Sequence, residues 1–419
     1  MQNILILGGG GREHALSWKI KQSSQCQSLF IAPGNAGTAT CGTNLNIDVL
    51  DFDSIKKAVD EHNIDCIIVG PEAPLVEGIY DYFKDHKVKV LGPSKLASQL
   101  EGSKAFANDF MAEFGIPTAG YLSVTSDNIQ EGIDYIDKQD SKIVLKADGL
   151  AAGKGVLIID DKEEAKTSLK EMLEGKFGAA SSTVVIEEFL DGIEFSVFVL
   201  TNGEEFQILP IAKDYKRIGE GDTGLNTGGM GAISPVPFVD DEMGQKVTNQ
   251  IIKPTLEGLK KRNYEYYGFI FLGLIKVNNN PYVIEYNCRM GDPETEVVIP
   301  RIKNDLVALI KSVFDHNLSS FPIDKEDKSA ATVMLVSGGY PEKYEKGKAI
   351  TFSAPIDDAI VFHAGTKQDG DQLVTNGGRV IAVTSYGKDF KAAVANSVKN
   401  IGKISFEKMN YRKDIGFDL

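Results

Sequence analysis

Cysteine is scarce in this chain of 419 residues: Cys26, Cys41, Cys66 and Cys288 stand singly, and histidine is almost as rare, at 5. With no CxxC and no histidine at ligand spacing, a disulfide frame and a zinc site are both excluded, and the thiols read as reduced and cytoplasmic. No run of ~18 apolar residues occurs, so no membrane span is expected. The start, Met1-Gln2-Asn3 into Ile4–Leu7, reads as a first strand and not as a signal peptide. Positive charge is short as well. A net charge of −14 argues against nucleic acid as a partner, because phosphate backbones select basic surfaces. That deficit does not touch a small phosphorylated substrate, which a few local lysines and arginines can hold. No internal repeat or low-complexity tract is present.

The remaining composition, 42% hydrophobic and 25% charged, is that of a globular enzyme. The length exceeds one core and predicts roughly two to four domains. The first hundred residues alternate apolar runs (Ile4–Leu7, Leu29–Ala32, Cys66–Val69, Val88–Leu91) with helical spacing, as at Ile55, Ala58 and Val59. This predicts a doubly wound parallel sheet. An amphipathic helix is expected from Lys104 to Phe114, stopped by Gly115 and Pro117. Strands follow at Ile143–Lys146, Val156–Ile159, Thr183–Glu187 and Phe195–Val199, around a helix near Glu163–Leu173. Ala212–Pro237 reads as loop, and a helix over Val247–Lys261 precedes strands Phe269–Val277 and Tyr282–Asn287. Beyond a charged, solvated linker at Asp324–Lys328, strands return at Ala331–Ser337, Ile360–Ala364 and Arg379–Thr384, with a last helix over Phe390–Val398. The fold class is therefore α/β and α+β multidomain.

Chemistry concentrates in Val283–Glu296, V-I-E-Y-N-C-R-M-G-D-P-E-T-E. Period-2 strand geometry points Glu285 and Asn287 to one face. One charged and one neutral oxygen suit Mg²⁺ when phosphates and water complete the octahedron. Arg289 can grip a carboxylate or phosphate bidentately, Asp292 follows it, and Gly291 and Pro293 fix a tight turn. A lone Glu-x-Asn would be an ion-paired strand end; the full cluster favours a catalytic site.

Three glycine loops stand beside it. Gly8-Gly9-Gly10-Gly11-Arg12-Glu13 fails the dinucleotide fingerprint, because Glu13 stands where a third glycine is required. It leaves a strand-to-helix turn able to hold an anion, or simply a tight turn. Gly149–Gly155 is one residue short of a Walker loop and has Gly155 where Ser or Thr belongs. Lying between two strands, with Lys146 at one end and Lys154 inside, it reads as a hairpin lid over polyphosphate. Asn226–Gly231 is the third. Val185–Leu190 reads as a strand running into a crossing, its end open to an adenine edge or merely solvated.

These segments, with Gly70-Pro71-Glu72-Ala73-Pro74-Leu75-Val76, Leu100-Glu101-Gly102-Ser103-Lys104 and Asn287-Cys288-Arg289-Met290-Gly291-Asp292-Pro293-Glu294, resemble the ATP-grasp ligases. Within them the likeness is to the glycinamide ribonucleotide synthetase (phosphoribosylamine–glycine ligase) family, nearly end to end. The resemblance implies an amino-terminal domain over 1–101, an ATP-grasp pair over 102–325 with a lid subdomain about 119–190, and a small mixed carboxy-terminal domain over 326–419. It implies ligation of glycine to 5-phosphoribosylamine, a purine-synthesis step, using ATP with Mg²⁺ or Mn²⁺, by a cytoplasmic monomer working on small molecules. Carried over by position, Lys104 and Lys146 would contact ATP phosphates, and Gly153, Lys154 and Gly155 would form the lid. Glu187 and Leu190 would offer backbone groups to adenine, Glu188 would belong to the same ATP-binding stretch, and Glu194 would face ribose. Glu285 and Asn287 match metal ligands, with Arg289 and Asp292 beside the γ-phosphate and the acceptor. Gly10, Arg12, Glu13, Glu72 and Asn226 are candidates for the ribosylamine phosphate and hydroxyls.

One departure is Asp214-Tyr215-Lys216-Arg217, where the family more often shows Asp-His-Lys-Arg. Tyrosine supplies no imidazole, so any base role there is absent or falls to Asp214. Tyr215 is read as positional, with Asp214 holding the glycine ammonium. A second metal carboxylate has no counterpart on Phe269–Val277. Another ATP-grasp ligase with a different acid or amine is the nearest alternative. A nicotinamide oxidoreductase rests on Gly8–Gly11 alone, and a nucleotide sensor would bind ATP without releasing phosphate. Lys146→Ala and Glu285→Gln are each expected to lower turnover far more than stability. Ser329–Leu419 is chemically quiet, and Asn376-Gly377-Gly378-Arg379 reads as a turn.

Overall fold

A computed structural model describes residues 1–149 and 155–419. Strands β1 (Asn3–Gly8), β2 (Ser28–Pro33), β3 (Thr43–Asn44), β4 (Cys66–Val69) and β5 (Lys89–Pro93) run parallel in the order β5-β4-β1-β2-β3. Ile4–Leu7 and Cys66–Val69 are buried at every residue, as strands covered on both faces must be. Helix α1 (Gly11–Ile20) leaves β1 through the first glycine loop.

Strands β6 (Tyr121–Val124), β7 (Ile143–Ala147), β8 (Val156–Ile159) and β9 (Val184–Glu188) form a separate antiparallel sheet ordered β6-β9-β7-β8. β7 and β8 pair antiparallel, and Ala147 N donates to Gly155 O (2.8 Å). Strands β10 (Ile193–Thr201) and β11 (Phe206–Ile208) open a larger sheet. The stretch expected as loop then holds four short strands, β12 (Lys213–Asp214), β13 (Arg217–Gly219), β14 (Thr223–Asn226) and β15 (Gly231–Ser234). Strands this short carry too little period-2 pattern to be read in a sequence. The next helix starts at Asp241, capped by Asp240 through Met243 N, six residues ahead of the expected Val247, because its first turn is almost wholly polar.

Long strands β16 (Tyr266–Val277) and β17 (Asn280–Asn287) complete the larger sheet. Tyr266 and Tyr267 also pair with Pro93 and Gly92 of β5, so one nine-stranded sheet runs from β3 to β11. Gly268 permits that junction, since a Cβ there would stand 3.2 Å from Gly92 N. The charged linker is not simply solvated: Arg301 donates to the carbonyls of Glu326 (2.8 Å) and Lys328 (3.0 Å).

The carboxy-terminal part contains β18 (Ser329–Val336), β19 (Thr351–Phe352), β20 (Ile360–His363), β21 (Thr366–Asp369), β22 (Gln372–Thr375), β23 (Arg379–Gly387) and β24 (Ile404–Ser405). Its main sheet is ordered β12-β15-β18-β23-β20, so two strands from the middle of the chain form one edge of it. The helix Phe390–Ile401 packs on β18 and β23. No helix among the described residues is long and apolar enough to cross a membrane. The four cysteines are free.

Candidate active site

The carboxyl end of β17 forms the floor of the site. Glu285 pairs with Gly273 of β16, yet Leu274 pairs with Val283, leaving Ile284 as an extra residue on β17. This bulge frees the Ile284 carbonyl from the ladder, and Lys146 Nζ donates to it at 3.1 Å. Lys146 on β7 thus ties the lid sheet to β17. Glu285 and Asn287 do share one face, with Asn287 Nδ2 3.4 Å from Glu285 Oε1. Lys104, at the start of the helix Lys104–Glu113, lies 3.4 Å from Glu285 Oε2. Asp148, at the root of the glycine hairpin, accepts from Ser103 Oγ (2.9 Å) and Ala105 N (2.7 Å). The helix and the hairpin are therefore anchored to each other.

Further acids crowd this floor. Lys216 pairs with Glu194 at 2.7 Å, and Glu294 accepts from Ser196 Oγ at 3.3 Å. Burial opposes ionisation of Glu285, but Lys104, Lys216 and Lys146 outweigh it and hold its carboxyl down to about 2. Asp214 fares differently: burial, with Glu194 and Glu285 adding to it, lifts its carboxyl above the ordinary range despite Lys216. Burial and Asp214 push Glu294 up to about 8. The site therefore has more carboxylates than cations to neutralise them. This donor set fits a divalent cation and an ammonium group. Among the described residues no group of three or more His, Cys, Asp or Glu side chains could enclose a metal alone. A cation at Glu285 and Asn287 would need phosphate oxygens or water to complete its shell. Gly273, which pairs with Glu285 across the ladder, supplies no side-chain oxygen.

Arg289 is oriented by a buried acid. Its Nη2 lies 2.7 Å from Glu101 Oε1 and 3.1 Å from Asn287 Oδ1, and Glu101 also accepts from Cys288 N (2.7 Å). The Arg289 Nε is buried without a hydrogen-bond partner among the described residues, with Glu72 Oε2 3.6 Å away. Asp292 accepts from Arg12 N (3.3 Å) and pairs with Arg379 Nη2 (3.0 Å).

The amino-terminal loop, read as a turn able to hold an anion or simply as a tight turn, has its donors engaged within the protein. Gly10 N donates to Glu13 Oε2 (2.6 Å), Arg12 Nε pairs with Glu13 Oε1 (2.6 Å), and Arg12 Nη1 donates to Met290 O (3.1 Å). Its donors are thus engaged by Glu13, Asp292 and Met290, although the loop does bring Arg12 and Glu13 into the Glu72–Arg289–Asp292 corner. One correction concerns Glu187. Its backbone lies between Tyr121 and Val144 in the ladder, which commits it to its neighbours, and its side chain pairs with Lys146 at 2.6 Å. Backbone open to a nucleobase begins past β9, towards Leu190. Glu188 and Asn226 have exposed side chains and stand outside this network among the described residues. Gly153 and Lys154 lie outside the described residues. Asn376–Gly378 is a turn as expected, but Arg379 begins β23 and its Nη1 donates to Gly228 O and Asp292 O (2.7 Å each).

Three matches cover almost the whole chain. The N domain of phosphoribosylglycinamide synthetase matches residues 2–101, its ATP-grasp (A) domain 102–295 and its C domain 330–418. This chain belongs to the phosphoribosylglycinamide synthetase family. Phosphoribosylamine–glycine ligase of Fusobacterium nucleatum is 45% identical over 418 residues, covering 99% of this chain and 98% of that protein. The enzyme of the same name from Chlorobaculum tepidum is 44% identical, covering 99% of each. The crystal structure of phosphoribosylamine–glycine ligase from Thermotoga maritima superposes with a TM-score of 0.88 at 37% identity, covering 99% of this chain and 100% of that one. Biotin carboxylase of Campylobacter jejuni (TM-score 0.75, 15% identity, covering 100% of this chain and 94% of that one) shares the ATP-grasp fold alone.

For this member of the phosphoribosylglycinamide synthetase family, sequence reasoning missed Glu101, Lys216, Glu294 and Arg379 as parts of the site. The first three sit inside motifs that were singled out, so their segments were visible and their partners were not. Arg379 carried no local signal beyond following two glycines.

Proposed function

We infer that the chain joins glycine to 5-phosphoribosylamine at the expense of ATP, giving glycinamide ribonucleotide, ADP and phosphate. The carrying observation is the acid-rich floor at the end of β17, set among Lys104, Lys146, Lys216 and Arg289, in a chain that matches the family over nearly its full length. Glu285 and Asn287 would hold Mg²⁺ or Mn²⁺ together with ATP, the ion neutralising charge on the β- and γ-phosphates. Lys104 and Lys146 contact the phosphates, Leu190 meets adenine and Glu194 faces ribose.

A glycine carboxylate oxygen attacks the γ-phosphorus, the bond to ADP breaks, and glycyl phosphate forms. Asp214, whose carboxyl burial lifts above its ordinary range, receives the glycine ammonium as its countercharge. Arg289, fixed by Glu101, turns its free Nε towards the reacting phosphoryl group and stabilises charge there. The phosphoribosylamine nitrogen then attacks the glycyl carbonyl, phosphate leaves with its oxygen, and the nitrogen gives up a proton. The labile acyl phosphate requires that water be excluded until the amine attacks. The Glu72–Arg12–Glu13–Asp292 corner, with the Gly10 loop and the Asn226 hairpin at its edges, receives the ribosylamine. The enzyme acts as a cytoplasmic monomer.

The test is ADP release with glycine and freshly generated phosphoribosylamine, each omitted in turn. Release should require glycine. Full ADP release without glycine would overturn the reading.

A further inference from the structure

The segment Lys213–Lys216 alternates between two environments. Asp214 and Lys216 face the acids of the cleft, and Lys216 pairs with Glu194. Lys213 and Tyr215 point the other way and are buried, 5% and 1% exposed. One carboxylate receives both: the Tyr215 hydroxyl donates to Asp418 Oδ1 at 2.8 Å, and Lys213 Nζ lies 3.2 Å from Asp418 Oδ2. The Lys213 ammonium also sits 4.7 Å above the Tyr215 ring, and the Phe417 ring is tilted against it at 6.1 Å. Arg412 lies 5.5 Å from the Tyr215 ring, pairs with Asp222 (2.5 Å) and donates to the Arg217 carbonyl (3.2 Å).

Backbone pairing holds Lys213 on this side. β12 pairs Lys213 with Ile233 and Asp214 with Ala232, Tyr215 N donates to Gly231 O (3.0 Å), and Met230 N donates to Tyr215 O (2.7 Å). A buried ammonium without a counterion is costly, and the charge of Lys213 also acts on Asp214 and Glu194 across the strand. Without Asp418, that charge falls uncompensated on the acids that the incoming glycine ammonium needs.

We propose that Asp418 is a positioning residue for the ligase reaction: by holding Lys213 and Tyr215 outside the cleft, it keeps Asp214 free for the amino group of glycine. This rests on the functional reading above. Tyr215 is then the hydroxyl-bearing strut of this arrangement, not a substitute for an imidazole.

Asp418→Asn should raise the KM for glycine by about tenfold while the KM for ATP stays unchanged. Lys213→Met added to Asp418→Asn should restore the glycine KM, an outcome that lost folding alone would not produce. Tyr215→Phe, a milder change that removes only the hydroxyl, should raise the glycine KM in the same direction. Unaltered glycine KM in Asp418→Asn and Tyr215→Phe, or equal rises for glycine and ATP with no rescue by Lys213→Met, would overturn the proposal. Wild-type protein run in parallel separates the two ideas: without glycine-dependent turnover there, the functional reading falls and this inference with it.

Discussion

Lys146 offers the sharpest separation of stability from chemistry. Lys146 and Glu187 are 5% and 6% exposed and pair at 2.6 Å, with Asn108 Nδ2 adding one bond to Glu187 at 3.1 Å. Removing the ammonium alone strands a buried carboxylate beside a single neutral donor. That costs ~3–5 kcal/mol. Against a typical total of ~5–15 kcal/mol, Lys146→Met should therefore move the urea midpoint plainly. To the expectation from sequence, that Lys146→Ala lowers turnover far more than stability, the buried pair adds a stability cost of its own. Adding Glu187→Gln removes the stranded charge and should return stability to within ~1 kcal/mol of wild type. Activity should not return, because the phosphate contact is still missing, and kcat/KM for ATP should stay down by about 10²-fold. Urea unfolding by circular dichroism and ADP release read the two effects separately. A single variant as stable as wild type would refute the buried pair. A double variant that regains activity along with stability would refute the phosphate role.

Glu285→Gln should lower kcat/KM by about 10²-fold or more and raise the Mg²⁺ concentration needed, with melting little changed; wild-type metal dependence would contradict the assignment. His14 is buried where α1 meets β20, and its Nδ1 accepts from His363 N at 2.8 Å. Burial, reinforced by His363, depresses the His14 imidazole to about 3. The unfolded chain then binds more protons below about pH 6.5, so stability should fall as pH drops from there towards 3. His14→Gln should flatten that slope by up to about 1.4 kcal/mol per pH unit, measured by urea unfolding at pH 6.5 and 5. Parallel slopes in the two proteins would reject the buried neutral imidazole.

What could be read in advance follows the range of the interactions. Glu285 and Asn287 face one way because strand geometry is local, and the helix at Lys104 begins where Ser103 caps Phe106 N. The bulge at Ile284 was illegible, since it exists only in register with β16. So was the union of β5 with β16, which depends on Gly92 and Gly268 meeting across the fold. The stretch after Ala212 read as loop because β15 finds its partner in β18 of a later sheet, and β12 in turn pairs with β15. Tyr215 looked like an unexplained departure because Asp418, 203 residues away, completes it. Arg379 looked like part of a turn because Asp292 and Gly228 lie far off in sequence.

The central claim is that glycine is activated by phosphorylation on its carboxylate before the amine attacks. Glycine carrying ¹⁸O in both carboxylate oxygens, incubated with ATP and phosphoribosylamine, tests it directly by mass spectrometry of the products. The account predicts one ¹⁸O in each phosphate released and one retained in the amide carbonyl. Unlabelled phosphate, formed while glycinamide ribonucleotide accumulates, would contradict it.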